Sequence, residues 1–249
     1  MLIFERLWYN GEMEVQPKVG FFTKHPLLKD LLSLAIFVTC VVAGTMLLNA
    51  FVFRSYNVVG QSMENTFHNN DRVIVNRLPV TWAHFMGQEY VPKRGDVIVF
   101  ANVDAEEEER LKQEKADELG VDVSEVGNLL TCAAPAGQPD QYLIKRVIAF
   151  PGERVTVKDG VMKVYNDEWP DGYEVDELWR NEEEDTGPKK DVSGQVDMTV
   201  PEGEIFVAGD NREGQHSFDS RSGLGTIPYC RIIGPTAMRI YPLNKISFF

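Results

Sequence analysis

Two side chains in this 249-residue chain could together break an amide bond: Ser62, in VVGQSMENTF (residues 58–67), and Lys145, in YLIKRVIAF (residues 142–150). A serine hydroxyl is a poor nucleophile until a base takes its proton. Histidine is the usual base, yet His68, His84 and His216 stand in no HExxH or CxxC-type arrangement, and G-x-S-x-G is absent. The acidic runs lack the spacing of a calcium loop, so no metal site is expected.

Lys145 fits the part of base. The two-residue period of a strand sets Leu143, Lys145 and Val147 on one face, where apolar neighbours should bury the amine. Burial disfavours the ammonium form, and Arg146 would add like-charge pressure if it came near, leaving a neutral amine able to accept the serine proton. The alternative is an edge-strand lysine that blocks unwanted pairing. A third stretch, GDNREGQHSFDSRSGLG (residues 209–225), holds more hydrogen-bonding side chains than a surface turn needs.

These residues need elements to hold them. Residues 31–53 form an uncharged apolar run of 23 positions, bounded by Asp30 and Arg54. As a helix rising about 1.5 Å per residue it would be roughly 34 Å long, enough to cross a bilayer. Its core is too long, and too far from the start, for a cleavable leader. Lys18, Lys24 and Lys29 precede the run against Arg54 alone at comparable distance after it, so the N-terminus is expected in the cytoplasm. Acids and bases cancel up to residue 53, so the net charge of −13 belongs to residues 54–249. That charge argues against a nucleic-acid partner.

The expected organisation is a cytoplasmic segment 1–30, a transmembrane helix 31–53 and an extracytoplasmic catalytic β domain 54–249. Apolar alternation marks strands at residues 71–78, 96–100, 142–150 and 204–208, and Asp159-Gly160 within RVTVKDGVMKVY marks a hairpin. RIIGPTAMRIY (231–241) reads as two strands broken at Gly234-Pro235. Acidic insertions at about 102–139 and 166–199 interrupt the pattern, the first as a solvated helix, the second with Trp169, Tyr173 and Trp179 interleaved. Cys132 and Cys230 would lie in an oxidising space; sequence leaves their pairing open. Trp82, Phe85 and Met86 are read either as dipping into lipid or as filling the core.

GQSMENTF, RGDVIVF, YLIKRVIAFPGERV and GDNREGQHSFDSRSGLG stand in an order that resembles the bacterial type I signal peptidases, serine-lysine peptidases that remove leader peptides from exported proteins. The resemblance runs from about residue 31 to the C-terminus; the acidic insertions match nothing in particular. It implies a mainly β, largely antiparallel fold behind a single N-terminal transmembrane helix, with Ser62 as nucleophile, Lys145 as general base and no cofactor. It also implies that Ser217 hydrogen-bonds the lysine and that Asp219 and Arg221 form a structural ion pair. The N–H groups of Ser62 and Gly60 would make the oxyanion hole, a glycine standing where some members carry a serine. The partners implied are signal peptides of exported preproteins, the lipid bilayer and, as a candidate, the export machinery. Asn65 replaces the usual proline, Ala149 a common glycine, and the spacer after GDNR is longer than usual. A self-cleaving repressor-type protease would share the dyad but not the anchor; a non-catalytic anchored interaction protein would use neither side chain chemically.

Overall fold

The computed structural model describes residues 4–9, 12–17, 26–103, 110, 113–114, 116–117, 120, 141–180 and 187–249. The chain divides into two compact units, Met1–Ala50 and Phe51–Phe249. The first contains an antiparallel hairpin, β1 (Phe4–Tyr9) with β2 (Glu12–Pro17), and most of helix α1 (Pro26–Phe51). From Asp30 to Phe51 this helix has a mean hydropathy of 2.5. Its apolar side chains are exposed on every side, and it is long and apolar enough to cross a membrane. Thr39 and Thr45 donate their hydroxyls to the carbonyls of Ala35 and Val41, 2.8 and 2.5 Å away, so neither polar group is left unmet in an apolar surface.

The helix starts five residues before the uncharged run and stops two short of its end. Phe53 opens strand β3 (Phe53–Asn57), because alternation over FRSYN suits pairing with β4 (Arg72–Asn76) better than another helical turn. Helix α2 (Leu78–Phe85), with proline in its first turn, follows β4.

The second unit is built on two antiparallel sheets. The larger runs in the order β11 (Ile227–Pro228), β10 (Glu204–Ala208), β6 (Gln141–Ala149), β5 (Val97–Asn102), β12 (Ile232–Tyr241), β4, β3, with β13 (Ser247–Phe248) also pairing β12. The smaller is β8 (Val161–Tyr165), β7 (Arg154–Lys158), β9 (Val196–Thr199). Asp159 and Gly160 join β7 to β8 with φ of 52° and 82°, the two left-handed residues that a type I′ turn requires.

Strands β6 and β10 are covered on both faces by apolar clusters. Val147, Ile205 and Val207 pack with Ile98, Phe100, Ile227 and Ile232. Ile148, Ala149, Phe206 and Ala208 pack with Val155, Val157, Met162 and Val164 of the small sheet. A third cluster of Val58, Met63, Phe67, Val73 and Val97 lies around the turn that carries Ser62.

Residues 231–241 do not form two strands. β12 is continuous, pairing β5 through Ile232–Pro235 and β4 from Thr236 onward, with its register shifting at Gly234. The Gly-Pro pair marks the change of partner rather than a turn. The second acidic segment packs back on the core: Trp169 and Tyr173 stack with ring centroids 4.7 Å apart, and its 3₁₀ helix Val175–Leu178 buries Val175 behind β6. Of the described positions from 104 to 139, Arg110, Gln113, Glu114, Ala116 and Asp117 are helical and Gly120 is a turn, and all but Ala116 are exposed. Cys132 lies outside the described residues; Cys230 is disulfide-bonded and Cys40 is free. Trp82, Phe85 and Met86 are 66%, 80% and 54% exposed, which overturns the reading that they fill the core.

Candidate active site

The loop carrying Ser62 is closed at its base and anchored from inside. Val58 N–H donates to Asp71 O at 2.8 Å and Asn70 N–H to Val58 O at 2.9 Å, prolonging the β3–β4 ladder below the turn. Met63 and Phe67, 1% and 0% exposed, are its apolar feet. Burying side chains of this size stabilises by about 1.5–3 kcal/mol each, enough to fix the backbone on either side of Ser62. Asn211 N–H donates to the Ser62 carbonyl and Asn211 Nδ2 to the Gln61 carbonyl, both at 3.0 Å. Thr66 Oγ1 donates to Asp210 Oδ2 at 2.5 Å.

Strand β6 brings Lys145 to this turn. Its Nζ donates to Ser62 Oγ at 2.8 Å and to the Ile144 carbonyl at 2.9 Å, and the residue is 2% exposed. Burial pulls the ammonium down from the ordinary lysine value to about 8; Asp219 and Asp210 oppose this, and Arg221 adds to it. The added like charge is therefore Arg221 and not Arg146. Arg146 is neutralised by Asp210, which takes its Nε at 2.8 Å and Nη2 at 2.5 Å, and its Nη1 donates to the Gly95 carbonyl at 2.7 Å.

Asp219 and Arg221 do form a buried ion pair, Nη2–Oδ2 2.8 Å and Nε–Oδ1 3.1 Å. Gly209 N–H and Ser217 Oγ also donate to Asp219, at 2.9 and 2.6 Å. Burial would raise the Asp219 carboxyl, but Arg221, Ser217 and Gly209 together hold it below the usual carboxylate range. The expected Ser217–Lys145 bond is not formed: the Ser217 hydroxyl is turned to the stronger, charged acceptor. Gly60 has φ +95°, and its N–H donates to Asn69 Oδ1 at 2.9 Å. One of the two expected oxyanion donors thus has a partner in this state.

Sequence reasoning alone passes over Thr66, Asp210, Asn211, Gly209 and Asp176. The first four lie in motifs whose density of polar side chains is the only signal; Asp176 is one acid among many in the second insertion.

A hydroxyl thus lies at hydrogen-bond distance from a buried amine on an antiparallel β scaffold, an arrangement in which an uncharged amine could take the hydroxyl proton. The family described as "Signal peptidase, peptidase S26" matches residues 28–241, and the chain belongs to it. Signal peptidase I of Bacillus licheniformis is 30% identical over 213 residues, covering 85% of this chain and 88% of that protein. Signal peptidase I T of Bacillus subtilis is 28% identical over 204 residues, covering 81% and 80%. A crystal structure of a signal peptidase I from Enterococcus faecalis is 20% identical and covers 58% of this chain and 96% of that one, with a TM-score of 0.32. The protein is a serine-type signal peptidase, a hydrolase that acts on preproteins bearing signal peptides.

Proposed function

We propose that the chain cleaves signal peptides by acyl transfer, with Ser62 as nucleophile and Lys145 as general base. The observation that carries this reading is the 2.8 Å contact between Ser62 Oγ and a lysine amine that is 2% exposed. At that distance a neutral amine takes the hydroxyl proton as Oγ attacks the scissile carbonyl; the ammonium then protonates the departing amine. The restored amine draws a proton from water as it attacks the ester carbonyl, and returns that proton to Ser62 Oγ as the acyl–oxygen bond breaks. The Ser62 N–H, and the Gly60 N–H once Asn69 releases it, would stabilise the developing oxyanion, each such donor being worth about a hundredfold in rate.

β6 supports a mode of substrate entry. It pairs β5 through Gln141–Arg146 but meets β10 only from Arg146 onward. Its other edge, up to Lys145, has no strand partner among the described residues, so an extended chain added there would run directly to the dyad. The family's preference for small side chains near the cleavage point is expected here too. The apolar helix and the lysines before it support a single-pass anchor in the plasma membrane, with residues 1–30 cytoplasmic and 54–249 extracytoplasmic. The exposed Trp82, Phe85 and Met86 support contact with the lipid surface; the export machinery is a further candidate partner. The test is cleavage of a leader-bearing preprotein by wild type, Ser62→Ala and Lys145→Ala. The reading expects loss of cleavage in both variants with folding intact; retained cleavage in either one refutes its assigned role.

A further inference from the structure

Arg212, from the GDNR stretch, is fully buried, and its Nη2 is ion-paired with Asp176 Oδ1 from the 3₁₀ helix of the second acidic insertion. Nothing in the proposed chemistry uses this pair. A buried ion pair is weak evidence of stabilisation, because desolvation can outweigh the attraction. This one is also incompletely satisfied: Asp176 Oδ2 and Arg212 Nε are buried with no hydrogen-bond partner among the described residues. Burial pushes the Asp176 carboxyl up against the pull of Arg212.

What the pair does have is position. One residue before Arg212, Asn211 grips the carbonyls of Ser62 and Gln61. The Arg212 carbonyl accepts from Arg221 Nη1 at 2.8 Å, and Arg221 holds Asp219, the acid that acts most strongly on Lys145. The insertion also meets this loop directly, Lys189 N–H donating to the Asp210 carbonyl and Ser193 N–H to the Arg212 carbonyl, both at 2.9 Å, and its Trp179 ring lies 5.5 Å from the Arg146 guanidinium on β6.

We infer that Asp176 is a positioning residue of the dyad, clamping Arg212 so that Asn211 fixes the nucleophile turn and Arg221 fixes Asp219 beside the Lys145 amine. The inference rests on the assignment of Ser62 and Lys145 as the reacting pair. It gives the insertion a role in rate rather than in substrate affinity. The charges around Lys145 are Asp219, Asp210 and Arg221; those around Asp176 are Arg212, Asp210, Arg180 and Arg146. Loosening Asp219, or leaving Arg212 without its counter-charge, disfavours the Lys145 cation in either case, so the acid limb of the rate profile must move to lower pH.

The experiment compares the full-length enzyme with Asp176→Asn and with the double variant Asp176→Leu, Arg212→Met, in which apolar groups replace the pair and stability should hold. The substrate is a leader-bearing preprotein, and the Lys145 amine is also titrated by NMR through its Cε resonance, a reading independent of cleavage. Misplacement of catalytic groups by a fraction of an ångström predicts a kcat lower by about tenfold or more with KM within about twofold. The Lys145 titration should fall by about half a pH unit or more in both variants. Folded variants with wild-type kcat and an unmoved Lys145 titration overturn the inference. If wild type itself cleaves nothing, the functional reading fails, and the titration alone then decides the positioning claim.

Discussion

Gly209→Ala should disable the enzyme through a single methyl group. Gly209 does not occupy the left-handed region, so alanine there is not a matter of backbone strain. The cause is space: an added Cβ would lie 2.2 Å from Ser217 Oγ and 2.3 Å from the Ser62 carbonyl oxygen. Ordinary contact begins near 3.4 Å, so relief from 2.3 Å requires the Ser62 carbonyl to retreat by about 1.1 Å, or Gly209 to withdraw as far. The carbonyl cannot retreat freely, since it is held by Asn211 and flanked by the buried Met63. Catalytic groups must be held within about 0.5 Å of their productive positions, and a displacement near 1 Å costs on the order of a hundredfold. Overpacking should also lower stability by about 1–3 kcal/mol. The assay is kcat/KM for cleavage of a leader-bearing preprotein in detergent, with thermal unfolding as a check on folding. A folded Gly209→Ala enzyme within about threefold of wild type would refute this account of how loop 209–225 sets the nucleophile.

Asp210→Asn leaves Arg146 buried without its counter-charge and should cost about 3–5 kcal/mol in chemical denaturation at neutral pH. The Asp210 carboxyl is held below its ordinary 3.8, against the cost of burial, by Arg146 first and Arg212 and Thr66 besides. Its stabilisation is therefore present above that value and lost as pH falls through the folded value, and the gap between wild type and Asp210→Asn should close under acid. Gly60→Ala meets no atom within 4 Å, but φ of +95° strains any side chain, so unfolding should register a loss of about 1–2 kcal/mol and kcat should fall with it. Trp82→Ala with Phe85→Ala should leave cleavage in detergent unchanged while lowering it in lipid vesicles; equal loss in both media would reject a lipid contact.

Much of this site could be read from the chain because its local signals were strong. The apolar run, the Asp159-Gly160 hairpin and the alternation in β4, β5 and β6 each specify an element without reference to the rest of the fold. What escaped were features set by tertiary partners. Helix α1 gives way at Phe51 because β4 offers FRSYN a ladder, and β12 stays whole because Gly234-Pro235 coincides with a change of neighbour and not with a turn. Side-chain pairing was the least legible. Arg146 follows Lys145 in sequence but is neutralised by Asp210, 64 residues away, while Arg221 supplies the like charge. Ser217 was expected on the lysine and bonds Asp219 instead.

The measurement closest to the central claim is the pH dependence of kcat/KM for preprotein cleavage, since it reads the protonation of the base in the free enzyme. A buried Lys145 acting as an uncharged amine predicts a rate that rises with pH through an apparent pKa of about 8. A limb near 6.5, the histidine range, or one near 10.4, that of an ordinary solvated lysine, would contradict it.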